Sequence, residues 1–81
     1  MANPYVPLTH LPLLRAALEM IRASETGSAN TETLASAMNL TDREIQQQLS
    51  VLAPLFRQVL RGDDRIISLA QPSPEAYAAA Q

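Results

Sequence analysis

Thr31–Ser50, TETLASAMNLTDREIQQQLS, is the stretch that decides the fold, because it spells two short helices joined by a very tight turn. Leu34, Ala35 and Met38 recur at i, i+1 and i+4 and give the first helix one apolar stripe, opening just after Asn30. Asn39 stops it, since Asn is one of the few residues besides Gly that accept the left-handed conformation of a helix end, and Leu40 can then tuck back onto the first helix. The second helix begins at once. Thr41 and Glu44 have the spacing of a capping box, the hydroxyl accepting from the Glu44 N–H and the carboxylate accepting from the Thr41 N–H. Ile45, Leu49 and Leu52 (i, i+4, i+7) supply its buried face.

These residues resemble a helix-turn-helix unit. Ala35 stands where that family wants a small residue for close helix approach. Asn39, four residues on, takes the turn position usually held by Gly, and Ile45, six further, is the branched apolar residue that locks the second helix on the first. With a two-stranded wing after it, the likeness extends to the winged helix-turn-helix group over most of residues 10–70. There are two departures: Gln48 occupies a place that is often apolar or aromatic, and Ala53-Pro54 replaces the Gly usual before the wing. The same periodicity also fits an αα-hairpin in a small bundle. The resemblance implies an α+β, mainly α fold, three helices followed by a β-hairpin wing.

Working outward, Pro4 and Pro7 make residues 1–8 an extended N-terminal arm, from which Tyr5 and Val6 can pack on the body. Thr9 is the expected N-cap of a first helix running to about Ser24, with Pro12 in the first turn where no N–H is needed. Its stripe is Leu11, Leu14, Leu18 and Ile21, with Ala17 between, and Arg15, Glu19 and Arg22 lie on the wet side. Gly27 and Ser28 end that segment.

The stretch after Pro54 admits two readings. A helix from Pro54 to Arg61 would place Leu55, Phe56, Val59 and Leu60 on one face, with Gly62 as its cap. A hairpin would pair Gln58–Arg61 with Arg65–Leu69 across Gly62-Asp63-Asp64. The hairpin is favoured because RIISL is rich in β-branched residues and a lone strand would leave its backbone groups unpaired. A short strand near Ala29 can supply a third. A three-residue loop sets Arg61 opposite Arg65, Leu60 opposite Ile66 and Val59 opposite Ile67, leaving Leu60 and Ile66 as an apolar pair on the outer side. The domain thus spans 9–70, and residues 71–81, Pro-punctuated and then Ala-rich, form a flexible C-terminal tail.

Composition bounds the function. Eighty-one residues, 47% apolar, make one small core, and a chain this short often gains from dimerisation. No Cys and a single His exclude a disulfide framework and leave neither a metal site nor a cofactor to expect. His10 stands alone without a nucleophile or orienting carboxylate, no Gly-rich phosphate loop is present, and the chain is not expected to be an enzyme. Asp63-Asp64 is a turn rather than a cation site. No apolar run is long enough to span a bilayer and no secretory leader opens the chain, so a cytoplasmic location without membrane contact is expected.

The face of the second motif helix concentrates polar residues. At about 100° per residue with Ile45 inward, Arg43, Gln47 and Ser50 point outward and Gln46 lies on the flank. Arg and Gln read guanine and adenine edges in a major groove, and Thr41 can bond a phosphate. Arg61 and Arg65 on the wing would add phosphate contacts. The resemblance therefore implies a small regulatory protein that binds double-stranded DNA as a homodimer through Thr41, Arg43, Gln46, Gln47, Ser50, Arg61 and Arg65. The charge opposes it. Net charge is −2, and Asp42, Glu44, Asp63 and Asp64 cancel the four Arg of the helix and wing. The alternative is a winged-helix module that docks a protein partner through Leu60 and Ile66 instead of DNA.

Overall fold

In a computed structural model the chain is described over residues 6–80. It is an α+β, mainly helical domain around a small antiparallel sheet of three strands in the order β1-β3-β2. Helix α1 (Leu11–Ala23) is followed by strand β1 (Ser28–Asn30), helices α2 (Thr31–Met38) and α3 (Asp42–Leu52), strands β2 (Phe56–Gly62) and β3 (Arg65–Pro72), and helix α4 (Pro74–Ala80).

α1 differs from expectation at its start. Leu8–His10 form a 3-10 turn that runs straight into the helix, His10 occupies the cap position without a side-chain cap, and the Thr9 hydroxyl meets the His10 Nδ1 at 3.0 Å instead. Leu8 therefore belongs to this turn rather than to an extended arm. Val6 packs on the core; Tyr5 lies outside the described residues. The buried face is Leu13, Leu14, Ala17 and Leu18, so Leu13 is central while Leu11 and Ile21 lie at the margin. The stripe is shifted because α1 is covered on two sides, by the α2–sheet layer and by α4.

The loop to β1 needs Gly27, whose φ of +71° is open to Gly at no steric cost. Hydroxyls of Ser24, Thr26 and Ser28 link along it at 2.9 Å each. Asn30 ends β1 in extended conformation, and its side chain accepts from the N–H groups of Glu32 and Thr33, so α2 starts without a connecting loop. Asn39 is left-handed (φ 56°, ψ 44°), and the Leu40 N–H reaches back to the Ala35 carbonyl at 2.9 Å. Both bonds of the Thr41–Glu44 capping box form, at 3.1 Å each. Ile45, Leu49 and Leu52 are buried, and Ala35 is half-buried against the same core.

α3 stops at Leu52, yet Ala53 keeps an α conformation (φ −53°, ψ −40°) and a 3-10 turn, Ala53–Leu55, delivers the chain to β2. Proline in a first turn gives up an N–H that has no intrahelical partner, which offsets the usual bias against α before Pro. Residues 56–62 form the strand of the hairpin reading, not the helix of its rival.

The register, however, is not the one that a three-residue loop implies. Gly62 pairs with Arg65 and Arg61 with Ile66, so the loop is Asp63-Asp64 alone, both at positive φ (51° and 64°) as the tightest hairpin turn requires. Leu60 then pairs with Ser68 and Val59 with Leu69, which makes Ile67 an extra residue in a bulge. The cause is burial. Ile66 and Leu69 are both inside, at 2% and 0% exposure, although an odd separation would put them on opposite faces of a regular strand.

The expected flexible tail is also ordered differently. Gln71 and Pro72 complete β3, and Pro74–Ala80 form α4, with Pro at its first position. The Ser73 N–H and hydroxyl both donate to the Leu55 carbonyl, at 2.9 and 2.8 Å. Ala76 is completely buried, and the Arg15 Nε donates to the Ala80 carbonyl at 2.9 Å. Small alanines let α4 approach α1 closely enough to be enclosed, which a composition reading does not reveal.

Because Asn39 pays left-handed strain that Gly lacks, Asn39→Gly is expected to leave urea-unfolding stability unchanged or raise it, whereas Asn39→Ala lowers it by about 1 kcal/mol. A loss with Gly and none with Ala would contradict the turn geometry.

Candidate functional site

The seven residues that the helix-turn-helix resemblance assigns to DNA divide into three groups. Gln46 is turned inward. Its Nε2 donates to the Ile66 carbonyl and its Oε1 accepts from the Ile66 N–H, both at 2.8 Å. β1 pairs only with Ser68–Ala70, so Ile66 lies beyond its end, and the Gln46 amide takes the place of the missing strand. The buried Thr31 hydroxyl adds a second donor to the same carbonyl at 2.9 Å. Arg65 is held as well: its guanidinium bonds Asp42 at 3.0 Å and Glu32 at 3.4 Å, tying the hairpin to the starts of α3 and α2. Each such exposed pair contributes no more than about 1 kcal/mol. Two carboxylates around one guanidinium nevertheless leave that surface net negative.

Thr41 and Ser50 are partly committed. Thr41 is exposed, but its N–H is bonded to Glu44 and its hydroxyl oxygen caps the Glu44 N–H. The Ser50 hydroxyl donates to the Gln47 carbonyl at 3.0 Å, one turn back along its own helix. Arg43, Gln47 and Arg61 are exposed, and no side-chain bond engages them among the described residues. Arg43 sits between Asp42 and Glu44, and Arg61 stands close in sequence to the turn carboxylates Asp63 and Asp64.

The protein-docking pair is corrected too. Ile66 is buried beneath α3 and cannot meet a partner, while Leu60 is 49% exposed. The bulge brings out Ile67 instead, 39% exposed, so the apolar surface of the hairpin is Leu60 and Ile67. An exposed aromatic was not anticipated. Tyr77 of α4, 51% exposed, separates two shallow hollows. One, about 420 Å³, is lined by Arg15, Leu18, Glu19, Arg22 and Ala80; the other, about 550 Å³, by Arg57, Pro72, Pro74 and Ala78. Reading the tail as loose hid both.

Two carboxylates titrate below their ordinary value of 4.5. Glu44 is lowered by the Thr41 N–H and then its hydroxyl; Glu75 chiefly by its own backbone N–H and, less, by Arg57. Both are helix-start anions stabilised by unpaired N–H groups. Among the described residues no group of three or more acidic, His or Cys side chains gathers to hold a metal, and no helix is long and apolar enough to cross a membrane. Compared with protein-family models, with curated proteins and with solved structures, the chain gives no match.

Two outcomes follow from this geometry. Gln46→Ala strips both partners from the Ile66 backbone, sparing only the Thr31 bond to its carbonyl, and is expected to cost about 1–3 kcal/mol in denaturant unfolding. A free, base-reading Gln46 would lose nothing. The lowered Glu44 carboxyl supports folding above its unfolded value and gives up that support as pH falls through its folded value. Acidification below 4.5 should therefore loosen the first turn of α3, seen as weaker amide protection at Glu44, and Glu44→Gln should remove that pH dependence.

Proposed function

We propose that this chain is a small winged-helix-type module that docks a protein through its wing, the hairpin β2–β3. One observation carries the reading: Gln46 and Arg65, the side chains best placed to bridge helix and wing to a duplex, are bonded inward to Ile66, Asp42 and Glu32. DNA affinity comes largely from cations that displace counterions. Arg43, Arg57 and Arg61 are the exposed cations left on the helix and hairpin, with the carboxylates Asp42, Glu44, Asp63 and Asp64 beside them. The apolar Leu60 and Ile67 suit a protein surface better than a phosphate backbone.

Binding to double-stranded DNA is the second reading, favoured by the outward Arg43 and Gln47 on α3. Fluorescence anisotropy with a labelled random duplex at low salt separates the two. No binding at tens of micromolar is the expected result, since even non-specific contacts of DNA-binding domains reach about 10⁻⁴ to 10⁻⁶ M at physiological salt and tighten below it. Saturable binding that Arg43→Ala weakens by about 1–3 kcal/mol would establish the DNA reading instead.

A further inference from the structure

β2 forms one edge of the sheet, and no strand covers its outer side among the described residues. Which of its backbone groups face outward follows from the Gln46 contact. Ile66 directs its N–H and C=O away from β2, to Gln46, so its cross-strand partner Arg61 sits at a non-hydrogen-bonded position and directs its own groups away from β3. The irregularity lies in β3, so alternation within β2 is unbroken. Val59 and Arg57 then face outward with Arg61, giving three N–H donors and three C=O acceptors along the open edge. The strand has no Pro and no bulge of its own, and its two charges, Arg57 and Arg61, share the face of Val59, where they guard the edge against a like-charged strand.

Charge selects the occupant. β2 holds Arg57 and Arg61 and no carboxylate, and these two are the ends of the outward-bonding set. Neither lies within 4.0 Å of a carboxylate oxygen among the described residues, where the ion pairs are those of Arg65. A second copy of the chain, added antiparallel about Val59, would set Arg57 against Arg61 twice, a like-charge pairing that destabilises a sheet. A strand with carboxylates four residues apart meets both Arg at once. Beyond Arg57 the edge leads to the 550 Å³ hollow walled by Pro72, Pro74 and Tyr77, which takes an apolar side chain at the peptide's far end.

Resting on the protein-docking reading above, we infer that β2 is an acceptor edge for an extended acidic peptide of the pattern Glu-X-apolar-X-Glu. The peptide pairs antiparallel with Arg57–Arg61, places its apolar middle residue opposite Val59, and extends the outer sheet face beside Leu60.

The test uses the whole chain labelled with ¹⁵N and two acetylated, amidated peptides, TVETVTEF and TVKTVTKF. In the free protein, hydrogen exchange should be fast at the Arg57, Val59 and Arg61 amides and slow at Gln58 and Leu60. The glutamate peptide should slow exchange at the first three, and bind about tenfold more tightly than the lysine peptide, as expected for two exposed ion pairs replaced by repulsion. Arg57→Glu with Arg61→Glu, shown folded by its amide spectrum, should reverse the preference. Equal affinity for the two peptides, or protection confined to other amides, overturns the inference. So does protection of the same amides by the protein's own concentration without peptide, which would assign the edge to a second copy. A random duplex included as a third ligand keeps the failures apart. Duplex binding defeats the protein-docking reading, whereas no binding of either duplex or peptide defeats only the acidic-strand proposal.

Discussion

A single backbone unit, the N–H and C=O of Ile66, holds the helical layer and the sheet together. It receives the Gln46 amide on both groups and the Thr31 hydroxyl on one, so α3, α2 and β3 meet at one residue whose side chain is itself in the core. β3 continues well past the end of the three-residue β1. Without the amide, a buried stretch of the central strand would have one side unpaired, at a penalty of the order of a lost hydrogen bond for each group. The sheet can therefore stay small. One side chain substitutes for the residues that a longer β1 would need.

The same arrangement decides what the surface can do. Binding Ile66 takes Gln46 out of the exposed row of α3, and the course of β3 carries Arg65 to the N-termini of α2 and α3, where Glu32 and Asp42 already favour the helix dipoles. The cation thus completes a local charge balance begun by helix-start carboxylates. What remains outward on the hairpin is apolar at Leu60 and Ile67 and cationic at Arg57 and Arg61. Structural demand and surface chemistry are in this sense one problem: residues that look like readers are held by the architecture.

Much of the backbone plan was legible because it rests on local chemistry. Asn39 ends α2 as its tolerance for positive φ requires, the Thr41–Glu44 box starts α3, and the β-branched run 65–69 pairs with residues before the turn. Less was legible where the answer depends on what lies opposite in space. Ile66 at the odd separation from Leu69 was a signal for a bulge, but a three-residue loop read from Gly62 concealed it. Nothing local in PEAYAAA distinguishes a frayed tail from a helix whose Ala76 is enclosed by α1. For Gln46, sequence gave the right flank of the helix and no indication that a strand backbone would be waiting there.

The Ile67 bulge has a bearing on how many ways this hairpin can be assembled. A regular ribbon with a polar turn can slide by a residue and still satisfy its ladder, which is how misaligned and intertwined forms arise. Here a slide of one step would withdraw Ile66 from its amide, lift it out of the core and drive Ile67 into the space it left. Like a key with one offset tooth, the strand enters its place in a single alignment, and the irregularity that breaks the pleat is what makes the pairing unique.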